Sequence, residues 1–152
     1  MTVGLDPAED PSYARAERST PMPFVVAGCM SRLFEAGLIA TDSAVAQSSL
    51  ADWRAGTGDL AALREGLVEF AIRIYVEWKE SSFKKEALLP SRIGYRLVRV
   101  ADGKIVAEGS ADGPPDSEDA ALHPEKEAAK AGAASIASCV ELLTTLAKGD
   151  PL

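Results

Sequence analysis

The sequence is poor in the residues that build metal centres and disulfide scaffolds. Its 152 residues include one histidine, His123, and two cysteines, Cys29 and Cys139. Structural zinc sites combine several cysteine and histidine ligands, and small disulfide-rich domains carry many more cysteines. We therefore expect no metal and no cofactor. Cys29 and Cys139 are predicted to be buried thiols or, in an oxidising compartment, to form a disulfide with each other.

Long apolar runs are also missing. No stretch approaches the roughly 18 consecutive apolar residues of a membrane-spanning helix. Residues 1–19 have neither a basic start nor an apolar core, so they do not resemble a signal peptide. We expect them to be a flexible acidic arm with at most a short strand at residues 2–5. A single α+β domain is predicted to follow over residues 20–149.

The predicted compartment depends on whether Met1 is the native start. If a signal was removed before Met1, the protein is periplasmic or envelope-associated; if not, it is cytoplasmic. Residues 26–29, VAGC, match the residue pattern of a bacterial lipidation box, but no apolar segment that could insert into a membrane precedes them. We therefore interpret the match as chance.

Positive charge is scarce overall, since 16 basic and 23 acidic residues give a net charge of −7. Duplex binding needs phosphate-neutralising side chains, so this balance argues against nucleic acid. Segment 73–104 differs, with eight basic and four acidic residues. It is predicted to be either solvated surface or a docking surface for an acidic protein partner or anionic headgroups. The candidate binding residues are Lys79, Lys84, Lys85, Arg92 and Arg96.

No catalytic signature is present. Segment 109–113 lacks the spacing of a nucleophile elbow, and segment 56–58 is too short for a phosphate-binding loop. Glu69, Glu77 and Glu108 either place paired carboxylates for acid–base chemistry or are outward-facing strand charges. No catalytic residue is assigned.

One acidic segment, residues 116–123, could hold a metal ion by composition. It contains Asp116, Glu118, Asp119 and His123. The spacing of these residues does not match a calcium-binding loop. We interpret the segment as a solvated acidic loop, and no metal ligand is assigned.

The stretch 23–42 predicts a buried helix that stops at a glycine and continues into a strand. Val26, Cys29 and Leu33 recur at three- and four-residue spacing, which places them on one helix face. Gly37 suits the left-handed position that ends a helix. Residues 38–41 then predict a short strand, with Cys29 facing the core.

The strongest strand signal spans residues 69–79, where apolar residues alternate with mostly polar ones. This pattern is typical of a strand with one buried face. Further strands are predicted at residues 92–100 and 104–110, joined by a tight turn in which Gly103 supplies the positive φ. Loops are expected at residues 81–90 and 112–123.

Two more helices complete the predicted fold. A short helix spans residues 58–65, preceded by a helical turn with Leu50 and Trp53, and a long helix spans residues 124–148. The element order predicts an α+β fold, a two-layer sandwich. Two or three helices would cover one face of an antiparallel or mixed sheet of four or five strands.

Three local patterns resemble a known group of domains. Residues 33–39, LFEAGLI, resemble a helix-to-strand step; residues 65–72, EGLVEFAI, resemble the entry into a central strand; and residues 95–106, YRLVRVADGKIV, resemble the hairpin that follows. Residues 24–148 thereby resemble the TolB amino-terminal-type domain and the related CsgG- and LpoB-like envelope domains. The resemblance implies a non-enzymatic role in the bacterial envelope, with no catalytic residues to transfer.

Three functional hypotheses follow. The first is a binding or assembly module of the bacterial envelope that docks a protein partner. The second is a small cytoplasmic enzyme, such as a hotdog-like acyl-thioester hydrolase, although a hotdog fold places its long helix centrally and the long helix here is last. The third is a small-ligand carrier with a pocket between sheet and helices.

Overall fold

The structure, a computed structural model, describes residues 2–9, 20–42 and 68–149. Within these residues the strands are β1 (Thr2–Glu9), β2 (Ile39–Asp42), β3 (Phe70–Glu80), β4 (Leu88–Arg99) and β5 (Ile105–Asp112). The helices are α1 (Met22–Glu35), α2 (Glu118–Leu122), α3 (Pro124–Ser135) and α4 (Ala137–Ala147). The predicted helix at residues 58–65 and the turn before it lie outside the described residues.

The strands form one mixed sheet in the order β2-β1-β3-β4-β5. β1 runs parallel to both β2 and β3, whereas the β3–β4 and β4–β5 pairs are antiparallel. The helices α1, α3 and α4 contact one another and pack against one side of the sheet. The predicted α+β fold is confirmed. A hotdog fold wraps its sheet around a central helix, and the described elements do not have that arrangement.

Strand β1 corrects the prediction of a flexible arm: the short strand considered at residues 2–5 is present, and the arm prediction is wrong for residues 6–9, into which the strand extends. Residues 2–9 form a strand between β2 and β3, with Val3 and Leu5 fully buried. Pro7 is tolerated because β2 pairs with β1 only as far as Leu5, so one side of β1 has no described strand neighbour at the proline. Residues 10–19 lie outside the described residues.

The predicted helix, glycine stop and strand around Cys29 are confirmed. α1 buries Val25, Cys29 and Leu33, and Gly37 follows the helix with a φ of 80°. Two loop boundaries differ from the prediction. β4 begins at Leu88 rather than at residue 92, and the loop after β5 contains α2.

The single long helix predicted for residues 124–148 is wrong, because the structure divides it at Ile136. There the backbone leaves helical geometry, with φ −102° and ψ 9°. The Ser135 hydroxyl donates a hydrogen bond of 2.8 Å to the Gly132 carbonyl oxygen inside the last turn of α3. Neither proline nor glycine stands at the break, and the spacing of apolar residues typical of a helix continues across it.

α1 and α3 approach each other closely through two glycines. A Cβ at Gly28 would overlap the carbonyl oxygen of Ala129, and a Cβ at Gly132 would overlap that of Val25. The Cys29 thiol donates to the Gly132 carbonyl oxygen across the same contact, at 3.4 Å. The backbones of α1 and α3 are therefore in direct contact where the two helices cross.

Candidate docking surface

The side of the sheet that faces away from the helices carries most of the charged strand residues. We call it the polar face. Strand register aligns its side chains in rows, because directly paired residues point to the same side. One row runs Asp6, Arg73, Arg96, Glu108 across β1, β3, β4 and β5. A second row runs Glu77, Arg92, Asp112 across β3, β4 and β5.

The polar face has a buried half on β1 and β3. Arg73 Nε donates to Asp6 Oδ2 at 3.1 Å, and the two side chains are 2% and 0% exposed. Tyr75 and Ala8 in the adjoining row are also buried. Removing one member of a buried ion pair is strongly destabilising because the other charge stays in a dry environment. The buried half therefore has a structural role.

The polar face has an open half on β4 and β5, which we define as Arg92, Arg96, Glu108, Ser110 and Asp112. Arg96 Nε donates to Glu108 Oε2 at 3.1 Å, with the side chains 17% and 63% exposed. Arg92 Nη2 donates to Ser110 Oγ at 2.8 Å. The open half is thus organised by its own contacts but remains in water.

A cleft of about 390 Å³ lies over the open half. Gly94 forms part of its lining and contributes no side chain there, while Tyr75, Glu77, Arg92, Glu108 and Ser110 contribute polar groups. The cleft is broad and borders charged side chains of both signs. This chemistry suits alternating contacts with a protein surface better than enclosure of an apolar small molecule.

The structure divides the five predicted binding residues into two groups. Arg92 and Arg96 share the open half, whereas Lys84 and Lys85 are exposed in the loop between β3 and β4. Lys79 Nζ donates to the Pro114 carbonyl oxygen at 2.9 Å. The binding role of all five residues remains a prediction.

The local charge balance differs from the one that the sequence window suggested. The polar face carries four cations and four carboxylates, and only three of these eight residues are among the predicted binding residues. The cations are Arg73, Lys79, Arg92 and Arg96, and the carboxylates are Asp6, Glu77, Glu108 and Asp112. The surface therefore carries charges of both signs rather than being uniformly basic.

The carboxylates considered for acid–base chemistry are separated by the fold. Glu77 is aligned with Arg92 and Glu108 is bonded to Arg96, while Glu69 precedes β3 and is exposed. This arrangement favours ion pairing over proton transfer.

Asp116 organises the loop between β3 and β4. Its carboxylate accepts hydrogen bonds from the Ser81 hydroxyl at 2.7 Å and from the Ser82 amide and hydroxyl, each at 2.8 Å. These bonds, first of all the one from Ser81, lower the pKa of Asp116. Within residues 2–9, 20–42 and 68–149 no group of histidine, cysteine and acidic side chains is arranged to hold a metal ion.

Cys29 and Cys139 are both free thiols and both buried. Burial raises the pKa of each thiol to about 12, and the proximity of Cys139 adds to the shift at Cys29. Such thiols are protonated and unreactive at neutral pH. The disulfide alternative remains a prediction.

Sequence reasoning missed Asp6, Ser110 and Asp112 as members of the polar face. Asp6 is 67 positions from Arg73, so no local pattern joins them. Residues of β4 and β5 could be paired from the sequence by counting outward from the turn at Gly103. The register shift between Leu97 and Val98 makes the pairs obtained in this way wrong. The sequence pattern that did point to the polar face was the position of Arg73 and Glu77 on the same side of β3.

Comparison with solved structures identifies proteins that share the fold of this chain. No protein-family model matches the chain, and no curated protein matches it in sequence. A PelC dodecamer from Paraburkholderia phytofirmans matches at a TM-score of 0.56 with 13% identity, over 89% of this chain and 84% of that chain. A Xanthomonas campestris protein of the DUF330 family matches at a TM-score of 0.53 with 10% identity, over 97% and 86%.

TolB from Acinetobacter baumannii is a more distant structural match. It has a TM-score of 0.42 and 11% identity, and the match covers 86% of this chain and 28% of TolB. A likeness at that level carries no functional argument. No helix among the described residues is long and apolar enough to cross a membrane.

Proposed function

We propose that this chain is a non-enzymatic binding or assembly module of the bacterial cell envelope that docks a protein partner. The observation that carries the proposal is the open half of the polar face. It presents two arginines and two carboxylates on β4 and β5, at the edge of the sheet and in water. Arginine is enriched at protein interfaces because its planar head forms directed bonds to carboxylates.

The fold likeness supports the assembly part of the proposal, and the envelope part depends on the sequence resemblance to TolB-, CsgG- and LpoB-like domains. The PelC chains that share this fold form a dodecamer. A chain with the same arrangement of sheet and helices is therefore compatible with assembly of several copies. Fold alone does not assign function, so the proposal depends on the charged surface.

A paired charge-reversal experiment tests the docking surface. The first variant combines Lys84→Glu, Lys85→Glu and Arg92→Glu. The control combines Lys126→Glu, Lys130→Glu and Lys148→Glu, which are exposed positions on or after the helices, and it changes the net charge equally. Each tagged protein is incubated with a solubilised envelope fraction, and the captured proteins are quantified by mass spectrometry.

We expect a specific protein to be captured by the unmodified chain and by the control, and to be lost from the first variant, whose folding at the assay temperature is checked by circular dichroism. Equal capture by both triple variants would remove the docking role of Arg92 and of the loop residues Lys84 and Lys85. Turnover of a small substrate that depends on Glu77 or Glu108 would contradict the non-enzymatic part of the proposal.

A further inference from the structure

β5 is an edge strand whose outer side has no strand neighbour among the described residues. The Gly113 amide donates to the Ser91 carbonyl oxygen at 2.9 Å, which fixes the direction of the backbone groups along the regular part of the pair. Bonding alternates along an antiparallel pair, so the amides and carbonyls of Glu108, Ser110 and Asp112 point outward. Natural edge strands are commonly protected by prolines, bulges or charged side chains. Residues 108–112 of β5 contain neither a proline nor a bulge, the register shift of the pair lies at residues 105–107, and the charges in 108–112 are Glu108 and Asp112.

The two sides of β5 differ in a way that suits a neighbouring strand. On the helix side lie the small residues Ala107, Gly109 and Ala111, and a Cβ at Gly109 would come within 2.8 Å of the Tyr95 ring. On the polar side lie Glu108, Ser110 and Asp112. A second strand alongside β5 would therefore meet little steric bulk on one side and charged groups on the other.

We propose that β5 pairs antiparallel with β5 of a second copy of this chain, around a two-fold axis at Gly109. The inference names the partner for the docking role and so rests on the proposed function. Charge selects the register, because like charges directly opposite each other destabilise a pair. An axis at Glu108 sets Glu108 against itself, and an axis at Ser110 sets Glu108 against Asp112. The axis at Gly109 sets Glu108 against the second copy's Ser110.

The selected register extends the existing contacts of the open half. Glu108 is bonded to Arg96 within its own chain, and Ser110 is bonded to Arg92 within its own chain. Across the proposed β5–β5 interface, the neighbouring side chains would be, in order, Arg96, Glu108, the second copy's Ser110 and the second copy's Arg92. Each Glu108 carboxylate then lies between two guanidinium groups, and symmetry repeats the arrangement. The outward amides and carbonyls of Glu108 and Ser110 meet as a hydrogen-bonded pair.

Sedimentation velocity over a concentration series tests the pairing. The unmodified chain is expected to form a dimer. Ser110→Glu places an acid opposite Glu108 at two symmetric positions, so the dissociation constant is expected to rise about tenfold or more. Ser110→Lys is expected to keep or strengthen the dimer. Ser31→Glu, which adds the same charge on the exposed side of α1, is expected to have no effect.

Ser110→Pro provides a second variant in case the charge change perturbs folding. It removes an outward amide and the side-chain bond from Arg92 but no backbone hydrogen bond of the β4–β5 pair, and circular dichroism checks the fold. Loss of the dimer in this variant supports the pairing. A monomeric unmodified chain, or a dimer that neither Ser110→Glu nor Ser110→Pro weakens, overturns it. If the unmodified chain captures a different protein while monomeric, the pairing fails and the proposed function stands.

Discussion

The two halves of the polar face contain the same kind of contact in different surroundings. The Arg73–Asp6 and Arg96–Glu108 pairs lie in one row and have the same Nε–Oδ2 or Nε–Oε2 distance of 3.1 Å. The first pair is almost completely buried, whereas Glu108 is 63% exposed. Water screens the second pair and leaves its groups available for exchange with a partner. Geometry alone therefore does not separate a structural contact from a surface that can bind.

The largest effect is expected in the buried half. Asp6→Ala removes the counter-ion of Arg73 and is expected to cost about 3–5 kcal/mol of unfolding free energy. Adding Arg73→Met removes the buried positive charge as well, so the double variant should recover most of that loss. Urea unfolding of the three proteins measures this. If the double variant is less stable than Asp6→Ala alone, the buried pair is not the reason for the loss.

The helix layer on the other face of the sheet should be almost as intolerant. Gly28→Ala forces a methyl group into the Ala129 carbonyl oxygen, and the loss is expected to be about 1–3 kcal/mol. Ser31→Ala on the exposed side of the same helix is the matched control, with a change within about 0.5 kcal/mol. Equal melting temperatures for the two variants would mean that α1 and α3 can move apart at little cost.

The buried thiols of the helix layer predict a pH dependence. Burial raises the pKa of Cys29 and of Cys139 from 9.0 to about 12, so the folded protein binds protons that the unfolded chain releases. This contribution to stability is complete below pH 9 and is lost as the pH rises from about 9 through about 12. At about pH 10 the loss should approach 1.4 kcal/mol for each thiol.

The thiol contribution is isolated by comparison with the double variant Cys29→Ala, Cys139→Ala. Urea unfolding at about pH 8 and pH 10 should show a smaller change for the double variant than for the unmodified chain. Identical changes would mean that the thiols are not buried in the folded protein, or that they are joined in a disulfide. Thiol labelling under native conditions distinguishes those two cases.

The smallest effect is expected in the open half. Arg96→Met removes the exposed pair with Glu108 and should change the unfolding free energy by only about 0–1 kcal/mol. The same substitution at Arg73 should be far more damaging, because Asp6 would then remain as a buried charge. Urea unfolding at low and high salt measures both. A comparable loss at the two positions would remove the distinction between the halves.

The elements whose local pattern is strong were predictable from the sequence. The spacing of Val26, Cys29 and Leu33 and the glycine at position 37 predict α1 and its end, and the alternation in 69–79 predicts β3. β1 was underestimated because Asp6 and Pro7 are unusual in a central strand. Their tolerance depends on Arg73 and on the short length of β2, which are long-range facts.

The break at Ile136 and the composition of the polar face were not predictable for related reasons. Apolar periodicity passes through Ile136 unchanged, and the division of α3 and α4 coincides with the close approach of Gly132 to Val25 and with the local bond from Ser135 to Gly132. The window 73–104 showed an excess of cations, but its acidic partners Asp6, Glu108 and Asp112 lie outside that window and are brought in by strand pairing.

Site-specific photo-crosslinking in fractionated source cells tests the central claim most directly. A photoreactive residue is placed at Glu108 in the open half or at Ser31 on the exposed side of α1, and adducts are identified by mass spectrometry. We predict that the protein is found in the envelope fraction and that only the Glu108 position gives a defined protein adduct, a second copy included. A cytosolic protein, or an adduct from Ser31 and none from Glu108, would contradict the account.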